Sequence, residues 1–233
     1  MRSDRAPRGG RTTDAAVFRK FHLPSMRRVA ATTRRCRRLS TTIHARPVLL
    51  LGDERLRRPS ADCVFGESSL LDAESELHAA LARFRSDNGY GRAMSAPQIN
   101  RHVRMIACDL GEDAVHRPNE QPFTLCNPSV IDSSDGSFSL WDDCMSFPHL
   151  MVRLRRAESI SLRYYDVHGV EHEWPSLRRQ EAELLQHELD HLDGVLAVDR
   201  AEAPDTDIVP RDEYLANRAH YDRQVDYVIV PTV

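Results

Sequence analysis

Two imidazoles and a carboxylate stand at metal-site spacing in the run Gln186-His187-Glu188-Leu189-Asp190-His191. On a helix of about 3.6 residues per turn, His187 and His191 lie one turn apart on one face, so both rings can reach a single divalent ion. Glu188 is then placed to take the proton of a water held by that ion. Good helix formers, Glu181-Ala182-Glu183-Leu184-Leu185, run into the motif, and Gly194 follows at a stop. A solvated, charged helix face is the bland reading of the same letters, but it gives no reason for the spacing.

A catalytic site needs a third protein donor. Downstream, the only later histidine is His220, and Glu202 and Glu213 are the carboxylates a zinc endopeptidase would use. Upstream, Asp142-Asp143-Cys144-Met145-Ser146 offers a thiol just after a turn-rich stretch at residues 132–136. Residue types favour the thiol, and spacing alone leaves both sources open.

The elements that must bring these residues together read as α+β. Ser69 can cap a helix in which Leu70, Leu77, Leu81 and Phe84 share a face, ending near Asn88-Gly89. Strand-like stretches follow at residues 103–110, 123–131, 159–167 and 170–174, with a turn at 166–169. The motif helix is expected over about 176–192. Residues 118–122 read as a surface loop, 202–207 as an acidic linker, 212–224 as helical and 225–230 as a short apolar end.

Three separated segments resemble the signature motifs of peptide deformylase. Residues 186–196, from Gln186 through His191-Leu192-Asp193-Gly194-Val195-Leu196, are similar to the family's Q-H-E-x-D-H-L-x-G-x-L. Asp142-Asp143-Cys144-Met145-Ser146 resembles E-G-C-L-S, and Gly91-Arg92-Ala93-Met94-Ser95-Ala96-Pro97-Gln98 resembles G-x-G-L-A-A-P-Q. Residues 48–57 look like the family's opening strand and turn, and Cys126-Asn127-Pro128 like the strand before the cysteine loop. The resemblance spans about residues 46–200, the expected catalytic domain, with 1–45 a leader and 201–233 a linker plus C-terminal extension.

The resemblance implies antiparallel sheets packed around a central helix that carries the motif. It implies Cys144, His187 and His191 as metal ligands, with ferrous iron as the usual ion and zinc or another divalent metal on the same donors. Glu188 would act as base and then acid, while the Gln98 amide and the Met145 backbone N–H would donate to the oxyanion. The reaction would remove the formyl group from formyl-methionyl nascent polypeptides and release formate. The pocket for the methionine side chain is expected to be apolar. A non-catalytic relative that binds N-blocked peptides is the alternative, and a zinc endopeptidase the more distant one.

This chain departs from the family wording in four places. Ala93 replaces the second Gly of the first motif, and a position there that needs positive φ would be strained by a methyl group. Arg92 beside it is bulky. Asp143 replaces the Gly before the cysteine, which is expected to raise the Cys144 thiol and to repel acidic substrates. Asp142 replaces Glu, so its pairing with Arg156 must span a longer gap.

Charge divides the chain. Residues 1–45 hold eleven Arg and one Lys against two Asp, a net charge of +10, which leaves −13 for residues 46–233 of the chain's total of −3. Paired arginines among Ser, Thr and Ala, with no acid after Asp14, read as a mitochondrial transit peptide cleaved near residues 40–43. Lys20 is the only lysine, so part of the Arg abundance is a codon preference, and a basic tail for RNA or anionic lipid carries the same letters. The expected site of action is the matrix, at the mitochondrial ribosome, with the cytoplasm as the fallback. No apolar run approaches the ~20 residues of a membrane span, and no direct nucleic-acid contact is expected of the acidic domain. Oligomeric state is not legible. Five cysteines at 36, 63, 108, 126 and 144 form no C-x-x-C pair, which points to a reducing compartment; Cys108 and Cys126 read as core thiols. His149 is expected on an exposed loop near Cys144.

Overall fold

The computed structural model describes residues 45–111 and 122–229. The leader, its cleavage stretch at 40–43, Cys36, nearly all of the 118–122 loop and Val230 lie outside the described residues.

Two antiparallel sheets enclose one helix. The larger has strand order β1 (Ala93–Ser95), β2 (Met105–Cys108), β3 (Phe123–Ser133), β6 (Ser159–Tyr165) and β7 (Glu171–Arg178). The smaller has order β4 (Ser137–Asp142), β5 (Leu150–Ala157) and β8 (Ile208–Pro210). Strand alternation explains why the larger sheet is covered on both faces. In β2, Met105 and Ala107 join the cluster of Leu70, Leu77, Leu81 and Phe84 from helix α1 (Ser68–Asn88). Ile106 and Cys108 face the other way, into a cluster with Ala182, Leu185, Leu189 and Leu192 of helix α2 (Arg179–Leu192).

Helix α2 lies between the sheets and carries the metal motif. Eleven of its fourteen residues are buried, which rules out the solvated-face reading. Each of its leucines removed from water contributes about 1.5–3 kcal/mol. On its far side, the Ala157 N–H of β5 donates to Gln186 Oε1 at 3.0 Å and Arg156 Nη1 donates to Asp190 Oδ2 at 2.5 Å. Gly194 ends the helix region in a left-handed conformation at φ +74°, and a Cβ there would stand 2.5 Å from the Arg57 carbonyl oxygen. Neither the dihedral nor the close approach tolerates a side chain.

Several local expectations need correction. Helix α1 is capped at Glu67, not Ser69, whose hydroxyl donates to Glu67 Oε2 at 3.0 Å from within the helix. The motif helix starts at Arg179, not 176, because β7 continues through Pro175: Ser176 takes φ +52° at a bulge, donates its N–H to Ser161 Oγ, and Leu177 returns to register opposite Ile160. The expected strand in residues 48–57 joins neither sheet. Leu49 N–H instead donates to the Gln98 carbonyl at 2.7 Å and Leu51 N–H to the Ser146 carbonyl at 2.8 Å, tying two of the motif segments together.

The C-terminal residues also belong to this body. Residues 204–207 form a helical turn (α3, Pro204–Asp207), with the Ala203 N–H donating to Asp207 Oδ2 and Arg153 paired to Asp207. The expected helix at 212–224 is two short ones, α4 (Arg211–Ala216) and α5 (Arg218–Asp222), divided at Asn217. Tyr214 and Tyr221 pack on Trp141 and Met151, which alternation points away from α2.

Candidate active site

The cysteine loop follows β4, the histidines project from α2, and Gln98 sits in a 3-10 turn, Ala96–Ile99, after β1. Cys144 Sγ, one nitrogen of His187 and one of His191 all lie within 4.8 Å of one another, and Sγ to His191 Nε2 is 3.2 Å. Donors bound to one tetrahedral ion stand ~3.3–3.8 Å apart. A thiol and two imidazoles, buried to 6% exposure or less, match a transition-metal or zinc donor set. His187 Nδ1 donates to Asp142 Oδ2 at 2.9 Å, which fixes the tautomer and leaves Nε2 for the ion.

Exposed Glu202, Glu213 and His220 take no part in this cluster. The downstream third donor that a zinc endopeptidase would need is therefore not built, and Cys144 occupies its place. His149 is exposed and stays out of the site.

Glu188 and Gln98 are each held by a neighbour. The Ser95 hydroxyl donates to Glu188 Oε2, and the Ser95 N–H donates to Gln98 Oε1 at 2.9 Å. With its oxygen so engaged, Gln98 turns its Nε2 toward Ser146 Oγ at 3.2 Å and Cys144 Sγ at 3.8 Å. Met145 follows Cys144 in the loop, with its side chain packed in the α1 cluster. Gly91 has φ +125°, and a Cβ there would meet Met145 Cε at 2.6 Å, so the first glycine of its motif keeps the cysteine loop in place. Ser95 is the functional neighbour that sequence reasoning passed over; it lay within a quoted motif but had no assigned partner.

Burial and charge act together on these groups. Burial raises Cys144 and the nearby Glu188 adds to it, while His187 opposes. Asp143 is not what lifts the thiol, because its carboxylate is turned to Arg211, Nη1 to Oδ2 2.8 Å. His187 is held well above its ordinary range: burial works against its charge, but Asp142 and Cys144 outweigh that. Burial and the neighbouring His187 push His191 well below it. Burial also raises Glu188, the direction that suits a group passing a proton near neutrality.

The remaining departures from the motifs are accommodated. Ala93 lies in β1 and is not among the positive-φ residues, so its methyl is unstrained. Asp142 still reaches Arg156, at 3.2 Å. Arg92 Nη2 pairs with Glu183 Oε1 at 2.5 Å, and its Nη1 donates to the Gln180 carbonyl. Burial lifts Glu183 to about 7 against the pull of Arg92. These residues, with Tyr90, Leu184 and Ile229, help line a cavity of about 80 Å³ beside the donors. The Arg92–Glu183 pair gives its wall a charged part beside the apolar Leu184 and Ile229.

A sequence model of the family described as polypeptide deformylase matches residues 45–207. The chain belongs to the peptide deformylase family. The peptide deformylase of Synechocystis sp. is 31% identical over 157 residues, which cover 66% of this chain and 78% of the relative. The solved peptide deformylase of Thermotoga maritima aligns with a TM-score of 0.59 at 25% identity, over 68% of this chain and 99% of that one. That of Synechococcus elongatus, solved in complex with actinonin, gives 0.59 at 26% identity over 67% and 80%. The α+β fold with a central motif helix is the deformylase fold, and the chain is a deformylase-type hydrolase.

Proposed function

We propose that the chain removes the N-formyl group from formyl-methionyl nascent polypeptides, with a divalent ion held by Cys144, His187 and His191. The observation that carries this reading is the meeting, in one buried cleft, of three metal donors with the Glu188 carboxylate and the Gln98 amide. When bound, the ion would activate a water and polarise the formyl oxygen; ferrous iron and zinc both suit the donors. Glu188, fixed by Ser95, takes the proton of the attacking water and returns it to the leaving amine. Gln98 Nε2 donates to the formyl oxygen as charge develops there, joined by the Met145 backbone N–H; loss of one such donor costs about 3–4 kcal/mol of barrier. The bonds change in balance: water adds to the formyl carbon, the C–N bond breaks, and formate leaves with a free amino terminus.

The paired arginines of residues 1–45 support a mitochondrial site of action, which would place the substrate at the mitochondrial ribosome.

The test is formate release from formyl-Met-Ala-Ser by the full chain, loaded with ferrous iron without oxygen, beside Glu188→Gln. Turnover by the parent that falls at least ~100-fold in Glu188→Gln, with metal content unchanged, is the expected result. Metal bound without turnover in the parent would instead favour a binder of N-blocked peptides or a different amide substrate.

A further inference from the structure

The mouth of the cleft holds a residue from beyond the family region. The family match ends at residue 207, yet Arg211 lines the cavity together with Asp143 and Tyr90. Asp143 stands where the resembling motif has Gly, so a carboxylate added within the motif faces a guanidinium added beyond it. The two are paired at 2.8 Å, and each side chain keeps about a quarter of its exposure, 27% for Asp143 and 24% for Arg211.

The placement of Arg211 is built into the backbone. Strand β8 pairs with β5 from Leu150↔Pro210 to Val152↔Ile208, and the next N–H, that of Arg211, donates to the His149 carbonyl at 2.8 Å. The guanidinium lies over the Tyr90 ring at 4.3 Å. Tyr90 Oη is buried and has no hydrogen-bond partner among the described residues, so a donor stands unused beside the pair. The cavity of about 80 Å³ is smaller than the ~150 Å³ that takes up one benzene molecule. A peptide of several residues must therefore extend beyond the cavity, and Asp143 and Arg211 are partly exposed residues of its lining that can meet it there.

We propose that Asp143 and Arg211 form a charge-balanced gate that determines which side chains are accepted downstream of the formylated residue. With the pair intact the mouth is locally neutral, so acidic and basic peptides are admitted alike. With either member neutralised, the other selects by charge. The proposal rests on the formyl-peptide reading of the site.

Two peptides test it, formyl-Met-Asp-Asp and formyl-Met-Arg-Arg. Their affinities are measured with zinc-loaded full-length chain carrying Glu188→Gln, and their kcat/KM values with the chain that retains Glu188. Arg211→Gln should shift the acidic-to-basic preference roughly tenfold toward the basic peptide. Asp143→Asn should shift it by a similar factor toward the acidic one, the double substitution should restore the parent ratio, and added salt should shrink each shift. Both peptides are compared on the same protein, so a partly folded variant moves both values and leaves the ratio intact. An unchanged ratio in all variants, or both single substitutions shifting it the same way, would overturn the gate. Charge selection in binding without formate release would sink the hydrolytic reading and keep the gate. Formate release at an unchanged ratio would do the reverse.

Discussion

Asp142 connects the metal donors to the frame of the protein. It accepts from His187 on one side and from Arg156 on the other, and those two partners hold its acid at about 2 although burial opposes them. Arg156 continues to Asp190 on the metal helix, and Asp190 to Arg200. Because the folded value lies below the ordinary 3.8, Asp142 stabilises the fold fully above that pH, and this contribution is lost as the pH falls from 3.8 toward 2. Asp142→Asn keeps the shape but removes the charge that orients and enriches His187. Its affinity for zinc should drop about 10–100-fold in a chelator competition; parent-like affinity would show that His187 is oriented without Asp142. The sequence named His187, His191 and Glu188 because their types and spacing are local properties; it favoured Cys144 as the third donor without excluding a downstream one, and Gln98 entered only through the family resemblance. It named Arg156 as the partner of Asp142, but the role of Ser95 emerged only when β1 was laid against α2.

At the level of elements, the site depends on where α2 stops and how the motif loops are tied. Gly194 lets the chain turn against the Arg57 carbonyl, and the Leu49 and Leu51 backbone bonds join the Gln98 turn to the cysteine loop. Gly194→Ala should therefore destabilise the protein by about 1–3 kcal/mol from the left-handed dihedral, with more from the close approach. A thermal or urea unfolding curve equal to the parent's would contradict that. Helix α2 was legible because good helix formers run into its motif, and β6 because Ile160, Leu162 and Tyr164 alternate with polar residues. Strands β4 and β5 were not, since Asp142 and Arg156 occupy inward positions that alternation reserves for apolar side chains. Polar groups of a functional site thus hid the strands that carry them.

Across the whole molecule, the last described residues are part of the catalytic body. Residues 204–229 pack on both faces of β4: on the outer face Trp141 Nε1 donates to the Tyr221 carbonyl, and on the face that carries Asp142 Tyr227 stacks edge-on with Phe138. No described helix is long and apolar enough to cross a membrane. The charge contrast between a +10 leader and the −13 remainder belongs to the chain as a whole. Residues 1–45 fused to a fluorescent protein should direct it to mitochondria, and replacing Arg27, Arg28, Arg34, Arg35, Arg37 and Arg38 by Gln should leave it in the cytosol. A fusion that stays cytosolic with all arginines present would make the leader a basic tail instead.

The spacing of His187, Glu188 and His191 was enough to point to a metal-dependent hydrolase, because metal ligation and proton transfer need particular side chains at particular short spacings, and the resemblance of three ordered motifs to the deformylase family narrowed it to that reaction. Those requirements are written locally, and so is the periodicity of the central helix. The grouping of Cys144 with the two histidines became visible only when β4 brought it to the face of α2, 47 positions from His191 in sequence. The same holds for the gate. Nothing near Asp143 reveals Arg211, which lies 68 positions away and reaches the cleft because β8 pairs with β5. A charge added to one loop can be balanced by any residue the fold brings beside it, and sequence separation carries no record of that distance.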